Sequence, residues 1–509
     1  MSSFDRAQDK LRPVKRGEIL TTWPYLLWFT FLAGFALRLY RLGVDSLWYD
    51  ETVSAFLATE SIPDLIAHTA RDIHPPGYYL LLHVWARLTG HSEFALAFFS
   101  LVFGMLLIPL TYRLARCLTG TPMIAAWAAL LVAVSPYNIW YSQEVRMYTL
   151  GAALGLAAAY CLWRGLTTQS PGYSHHWLGY FLAATPGLYT LYYFAFLLLI
   201  LNLIFLISNF STSPRCNQIR PWLLSNSLIL LAYLPWLPTL WRQATEPPVP
   251  PWRNVANLSL WSVLSESWAV LSLGQSVDSL TLWPILLLIL ALFILGLFSL
   301  HSSTPLPLYT LASSPPRFPA PLLLLYTFGP LLLIYLISFI TPLYHVRYLF
   351  TYSPPFYIII AAGLAWLTDR RWPWAAIVAT GLLLAASLFS LYRYHFDPRY
   401  RADDYRSAVE FIQRRWQPGD AIIVNAGYVY TAFVYYNAWP DLTRQRLVPY
   451  PASPATGSPL LLQTGTVDGS SQLGWGDPRS DFYAMSAAET VAALEAMSRL
   501  LPVVAAASL

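Results

Sequence analysis

Leu20–Leu37 reads LTTWPYLLWFTFLAGFAL, and Trp48-Tyr49-Asp50-Glu51 follows a short distance downstream. The apolar run is long enough to cross a bilayer as a helix, so the acidic pair falls near the level of the lipid headgroups, where carboxylates persist if they are hydrated, paired or bound to a ligand. One reading makes the pair the N-terminus of a helix over Thr52–Thr59, since acidic side chains favour the unsatisfied amides of a first turn. The other assigns it chemistry on a lipid-linked substrate.

The rest of the chain supports the membrane setting. Of 509 residues, 56% are hydrophobic and 11% charged, with a mean hydropathy of +0.47, a balance outside the range of water-soluble globular proteins. Apolar segments near 20–40, 93–112, 122–140, 147–163, 177–190, 191–207, 221–241, 281–300, 321–340, 352–368 and 373–392 predict about eleven transmembrane helices of roughly twenty residues each. Arg6, Lys10, Arg12, Lys15 and Arg16 stand before the first span, and an odd span count puts Arg113, Arg116, Arg164, Arg215, Arg220, Arg317, Arg370 and Arg371 on the same side. The positive-inside rule makes that side the cytoplasm of a multi-pass cell (plasma or inner) membrane protein. The formal charge of +5 is used up by these topogenic residues, which excludes a nucleic-acid footprint. Cys117, Cys161 and Cys216 all fall toward the cytoplasmic side and lack CxxC spacing, so neither a disulfide nor a cysteine metal site is expected.

Three regions follow: a cytoplasmic arm at 1–19, an all-α polytopic membrane domain at 20–392, and an extracytoplasmic C-terminal region at 393–509. Within the membrane domain, the external loop 41–91 predicts two interfacial helices, Thr52–His68 and Gly77–Leu88. A second external loop, 242–280, opens with Glu246-Pro247-Pro248 and carries Trp252, Trp261 and Trp268. The C-terminal region reads as a small α/β unit, with a helix from Asp403 to Trp416, a strand at Ala421–Val424, a loop over 451–480 and a last helix at Ala487–Arg499. The apolar end Val503–Leu509 has no evident partner and suggests a truncated or unusual C-terminus.

Four clusters share the external face: Asp50-Glu51, His74-Pro75-Pro76-Gly77, Tyr141-Ser142-Gln143-Glu144-Val145-Arg146-Met147-Tyr148, and His345-Val346-Arg347-Tyr348. Arginines there oppose the topogenic bias, and guanidinium forks match phosphate oxygens, so Arg146 and Arg347 point to a polyanionic ligand at headgroup depth. The competing reading is an ion pair that only packs helices, Glu144 with Arg146 or Asp50 with Arg347. His74 would contact substrate or merely hold the turn that its prolines impose.

In combination, these four elements resemble the GT-C membrane glycosyltransferases, and most closely the bacterial branch of glycosyltransferase family 39, related to protein O-mannosyltransferases and to the aminoarabinose transferases of lipid A. The resemblance covers residues 20–400. It implies transfer of a sugar from a polyprenyl-phosphate donor to a hydroxyl acceptor on the extracytoplasmic face, with inversion and without a metal. Members often carry a histidine near Thr190-Leu191-Tyr192-Tyr193, and this chain has none there.

Inverting transfer needs a base for the acceptor hydroxyl and cations for the departing phosphate. Asp50 is the expected base, with Glu51 beside it in the catalytic pair, and Arg146 and Arg347 form the expected clamp. His74, Glu144, Tyr148 and Tyr49 are expected to contact substrate. A divalent ion bridging Asp50, Glu51 and Glu144 would do similar electrostatic work but is not favoured, and no cofactor is expected. The alternative function is a lipid or sugar transporter or flippase, in which intramembrane charges would line a pathway.

Overall fold

A computed structural model of the chain describes residues 16–167, 174–211, 218–245, 259–278, 281–302, 319–341, 343–370, 372–417, 421–425, 430–437 and 460–464. Its apolar runs become helices because lipid offers the backbone no partners, so a span must close its own hydrogen bonds. α1 (Arg16–Leu39) leads into a loop that folds as α2 (Tyr49–Thr59), α3 (Ile62–Arg71) and α4 (Gly77–Thr89). The chain continues through α5 (Glu93–Thr119), α6 (Pro122–Val134), α7 (Pro136–Gln143), α8 (Tyr148–Thr167), α9 (His175–Thr190), α10 (Phe194–Ser211) and α11 (Ile219–Tyr233). A 3₁₀ turn joins α11 to α12 (Leu237–Thr245), and α13 (Leu260–Leu273), α14 (Trp283–Ser302) and α15 (Pro319–Ile337) follow. A 3₁₀ segment at Val346–Tyr352 then precedes α16 (Pro354–Asp369) and α17 (Pro373–Phe396).

Among the described residues, 6 helices are long and apolar enough to cross a membrane, or 8 if each of two bent pairs is one span. Tyr25–Leu39, Phe194–Asn209 and Leu260–Leu273 are shorter apolar helices. This is a multi-pass, helical membrane protein. One expectation is corrected in the first loop: Thr52–His68 is not a single helix but breaks between α2 and α3. Pro63 lacks an amide proton and fits only a first turn, and the Ser61 hydroxyl caps that turn by accepting from Asp64 N at 3.3 Å.

The two bent pairs carry the candidate site. α6 meets α7 at 53° and the 3₁₀ segment meets α16 at 63°, in both cases where a Ser-Pro step (Ser135-Pro136, Ser353-Pro354) interrupts the helical ladder. The first break leaves the last carbonyls of α6 without intrahelical donors, and Arg38 of α1 supplies them. Its Nη1 donates to Ala133 O (2.8 Å) and Gly34 O (3.0 Å), Nη2 to Val132 O (3.0 Å) and Nε to Ser142 Oγ (3.1 Å). Gln143 reciprocates by donating to the carbonyls of Arg38 (2.9 Å) and Tyr40 (2.8 Å) at the end of α1. Tyr137 of α7 donates to Val346 O at 2.5 Å, which ties the two breaks together.

Because Arg38 is 0% exposed, Arg38→Met will strand its acceptors, at about 1–3 kcal/mol for each buried group left unsatisfied. A thermal unfolding scan in detergent should show a clearly lowered midpoint for this variant, and an unchanged midpoint would contradict the capping role.

After α17 come α18 (Tyr405–Arg415), β1 (Ala421–Asn425), α19 (Tyr430–Tyr436) and β2 (Leu460–Thr464). β1 and β2 pair in parallel, from Ala421 opposite Leu460 to Asn425 opposite Thr464. Residues 460–464 therefore form a strand within the expected 451–480 loop, while the expected helix Ala487–Arg499 lies outside the described residues. Val409, Ile422 and Phe433 form a small core of their own. This region docks on the first loop: Arg406 pairs with Glu93, Tyr435 Oη donates to His91 O (2.6 Å), Leu47 N donates to Tyr436 Oη (2.7 Å), and the hydroxyls of Thr431 and Thr52 are 2.9 Å apart. α19 thereby packs on α2, the helix that begins with the acidic pair.

Candidate active site

α2 starts where the backbone leaves a β-like turn at Trp48, and the first turn presents both acids. Glu51 is buried and spends its two oxygens on amides: Oε1 accepts from Val145 N (2.7 Å) and Oε2 from Trp48 N (3.1 Å). Burial and the neighbouring Glu144 push its pKa up to about 8 against those two amide donors. Glu51 thus closes the first turn of α2 and fastens it to the segment after α7.

Asp50, the preceding residue, points elsewhere. Its Oδ2 lies 2.9 Å from Arg347 Nη1 and 3.6 Å from Arg146 Nη2, with side-chain exposures of 18% for Asp50, 27% for Arg347 and 3% for Arg146. The internal pair Asp50–Arg347 weighed from the sequence is therefore formed, with the second arginine added to it. Both contacts fall on one oxygen, which leaves Oδ1 outside the ion pairs. Arg347 also stacks over Trp48, its Cζ 5.3 Å from the ring centroid.

Arg146 is held from three sides. Nη1 donates to the Asp50 carbonyl (3.0 Å), Nη2 to His74 Nε2 (3.0 Å), and its own carbonyl accepts from Ser100 Oγ (3.2 Å). A guanidinium only donates, so His74 Nε2 is the acceptor and the ring proton sits on Nδ1. Burial, reinforced by the charges of Arg146 and Arg347, holds the His74 pKa well below the ordinary imidazole range. His74 is a neutral strut for Arg146, and the Pro75-Pro76-Gly77 sequence sets its approach. Gly77 is required because a Cβ there would stand 2.6 Å from Tyr189 O at the end of α9.

Glu144 is half-buried. Its Oε1 accepts from Trp140 Nε1 (2.7 Å), burial pushes its pKa up to about 7, and Oε2 is buried with no partner among the described residues. Tyr148, buried at the start of α8, bridges the two arginine segments: its ring meets Tyr141 at 4.9 Å and Tyr348 at 6.4 Å between centroids. Tyr49 opens α2 half-buried, its carbonyl accepting the Thr52 hydroxyl (2.8 Å). The structure thus converges Asp50, Arg146, Arg347 and His74 in direct contact, with Glu51 fixing them and Glu144 and Tyr148 adjoining. Among the described residues no three His, Cys, Asp or Glu side chains form a metal-holding group.

Two groups at this site escaped the sequence reading. Asp72 is buried two residues before His74, and burial pushes its pKa up to about 6, opposed by the Ile73 amide and the Arg146 charge. The Tyr79 hydroxyl is fully buried without a partner among the described residues. The group in direct contact thus sets two guanidiniums on one carboxylate, an arrangement that suits an anionic ligand.

The family model described as dolichyl-phosphate-mannose-protein mannosyltransferase matches residues 73–239, a stretch that contains His74, Glu144, Arg146 and Tyr148 but neither Asp50 nor Arg347. No curated protein matches the chain. Among solved structures, ArnT from Cupriavidus metallidurans in the apo state is similar at a TM-score of 0.56 and 14% identity, over 82% of this chain and 84% of that one. The same protein bound to undecaprenyl phosphate is similar at 0.51 and 15%, again over 82% and 84%. The archaeal oligosaccharyltransferase AglB from Archaeoglobus fulgidus, in complex with an inhibitory peptide and a dolichol-phosphate, gives 0.51 and 12%, over 86% of this chain and 61% of that one. The chain shares its overall fold with these membrane proteins.

Proposed function

We propose that this chain transfers a glycosyl group from a polyprenyl-phosphate donor to a hydroxyl acceptor, with inversion, at the extracytoplasmic face of the membrane. The observation that carries this reading is the convergence of Arg146 and Arg347, from segments two hundred residues apart, on a single carboxylate oxygen of Asp50. Two guanidiniums focused on one anionic position form a clamp for phosphate oxygens. The Asp50 oxygen marks the position on which both guanidiniums are focused.

In the reaction, the donor phosphate engages Arg347 and Arg146 and frees the Asp50 carboxylate. Asp50 accepts the proton of the acceptor hydroxyl as its oxygen bonds to the anomeric carbon, and the bond from that carbon to the phosphate oxygen breaks on the opposite side. The electron pair leaves with the polyprenyl phosphate, whose growing charge the two arginines neutralise. Glu51 acts by fixing Asp50 and His74 by fixing Arg146. Glu144, Tyr148 and Tyr49 contact the sugar, Glu144 through its unpartnered oxygen.

In this reading the chain crosses the membrane eleven times, with the N-terminus cytoplasmic and a small α/β C-terminal region outside. Cysteines introduced at Ser61 and Ser407, both exposed, should react with an impermeant thiol reagent in intact cells. Labelling of both only after lysis would place the site on the cytoplasmic face and overturn the reading.

A further inference from the structure

The segment Thr190-Leu191-Tyr192-Tyr193, which holds no histidine, separates α9 from α10 and carries no part of the proposed chemistry. Its two tyrosines instead reach in opposite directions. Tyr192 Oη donates to Gln243 Oε1 and accepts from Trp236 Nε1 (2.8 Å). Tyr193 Oη donates to Leu343 O (2.6 Å), and its ring stacks on Tyr348 with centroids 3.7 Å apart at 9°. Leu343 and Tyr348 bracket Arg347.

Gln243, at the end of α12, is itself buried. Its Nε2 donates to the carbonyls of Thr69 (3.0 Å), Ala70 (3.1 Å) and Asp72. Arg242 adds a bond to Ala70 O at 2.8 Å. These carbonyls lie at and just past the end of α3, where Thr69 O also accepts from the Asp72 amide (3.3 Å), and two residues beyond Asp72 stands His74, the strut of Arg146. A series of contacts therefore runs from the main chain leading to the Arg146 strut, through Gln243 and Tyr192, along the backbone to Tyr193, and on to Leu343 O and the Tyr348 ring on either side of Arg347.

We infer that Gln243 and Tyr192 are positioning residues that set the spacing of the two arginines and so govern affinity for a lipid-linked phosphate. The inference rests on the proposed phosphate clamp. A side chain that only filled space would not need its donor and acceptor directed to two segments that each lead to one arginine. Both ends of the Gln243 amide are engaged, Nε2 at the end of α3 and Oε1 by Tyr192, as a rigid brace requires.

The test uses the full-length protein in nanodiscs with undecaprenyl phosphate as the probe. Gln243→Met keeps the volume but removes the bonds, and should weaken binding on the order of tenfold, the scale of coupling carried through packed neighbours. Repeated in an Arg146→Lys background, the same substitution should cost little more, because the clamp it serves is already lost. Tyr192→Phe removes one hydroxyl and carries the same comparison if Gln243→Met does not fold. A full, additive loss in the Arg146→Lys background, or unchanged binding in both variants, would overturn the brace while leaving the clamp standing. Absence of binding by the unsubstituted protein would instead remove the clamp, and the brace with it.

Discussion

On the proposed mechanism, Asp50→Asn should lower turnover by about 10²–10⁴-fold, the contribution expected of a general base, and at the same time tighten the hold on polyprenyl phosphate. The amide keeps the size of the carboxylate but cannot take the acceptor's proton. It also no longer competes as an anion for Arg347, whose Nη1 stands 2.9 Å from the carboxylate oxygen. Folding stability should change little, because the first turn of α2 is closed by Glu51 on Trp48 N rather than by Asp50. Single-turnover transfer and equilibrium binding of polyprenyl phosphate on one preparation separate these effects. Parallel loss of binding and turnover would make Asp50 a structural residue or a metal ligand, and chelator treatment of the unsubstituted protein would tell these apart.

Lysine at either arginine position preserves charge but not the fork, and the two substitutions should differ. Arg146 uses separate nitrogens for the Asp50 carbonyl and His74 Nε2, both at 3.0 Å. An ammonium on a flexible stem cannot hold both while facing a phosphate. Each charge-assisted hydrogen bond lost removes about 1.5–3 kcal/mol, so Arg146→Lys should reduce both donor affinity and kcat. Arg347 is more exposed and makes one bond to Asp50 plus its stack over Trp48. Arg347→Lys should therefore raise KM for the donor more than it lowers kcat. Steady-state kinetics against donor concentration check both, and equal, small effects at the two positions would show that charge alone suffices.

Much of this site was legible because membranes make charge conspicuous. Arg146 and Arg347 stood out by opposing the positive-inside bias, and Asp50-Glu51 by following an apolar run. Arg38 carries a similar signal just after the apolar run Leu20–Leu37. Its role as a cap became visible only with the break at Ser135-Pro136, which hydropathy alone reads as part of a continuous span at 122–140. Prolines within apolar stretches are compatible with either a kinked or a broken helix, so the 53° and 63° bends were hidden. Glu51 looked like a partner of Asp50 in chemistry, yet its oxygens serve backbone amides at Trp48 and Val145, a long-range contact without a local signature. Gln243 and Asp72 were hidden for the same reason: the groups that give them meaning lie far away in sequence. In the C-terminal region the short apolar strand Ala421–Val424 was readable, whereas its partner at Leu460–Thr464 sits in a stretch rich in Pro, Gly and Ser.

The central claim, that the two-arginine centre holds a lipid phosphate while Asp50 drives sugar off it, is tested most directly by release of free polyprenyl phosphate. Purified protein in bilayers would be given polyprenyl-phosphate hexoses and pentoses with a hydroxyl acceptor, and the freed lipid phosphate followed over time. Release should require the acceptor and should fall by about 10²–10⁴-fold in Asp50→Asn. Release that persists in Asp50→Asn, or donor that reaches the opposite leaflet with its sugar still attached, would contradict the account and favour transport.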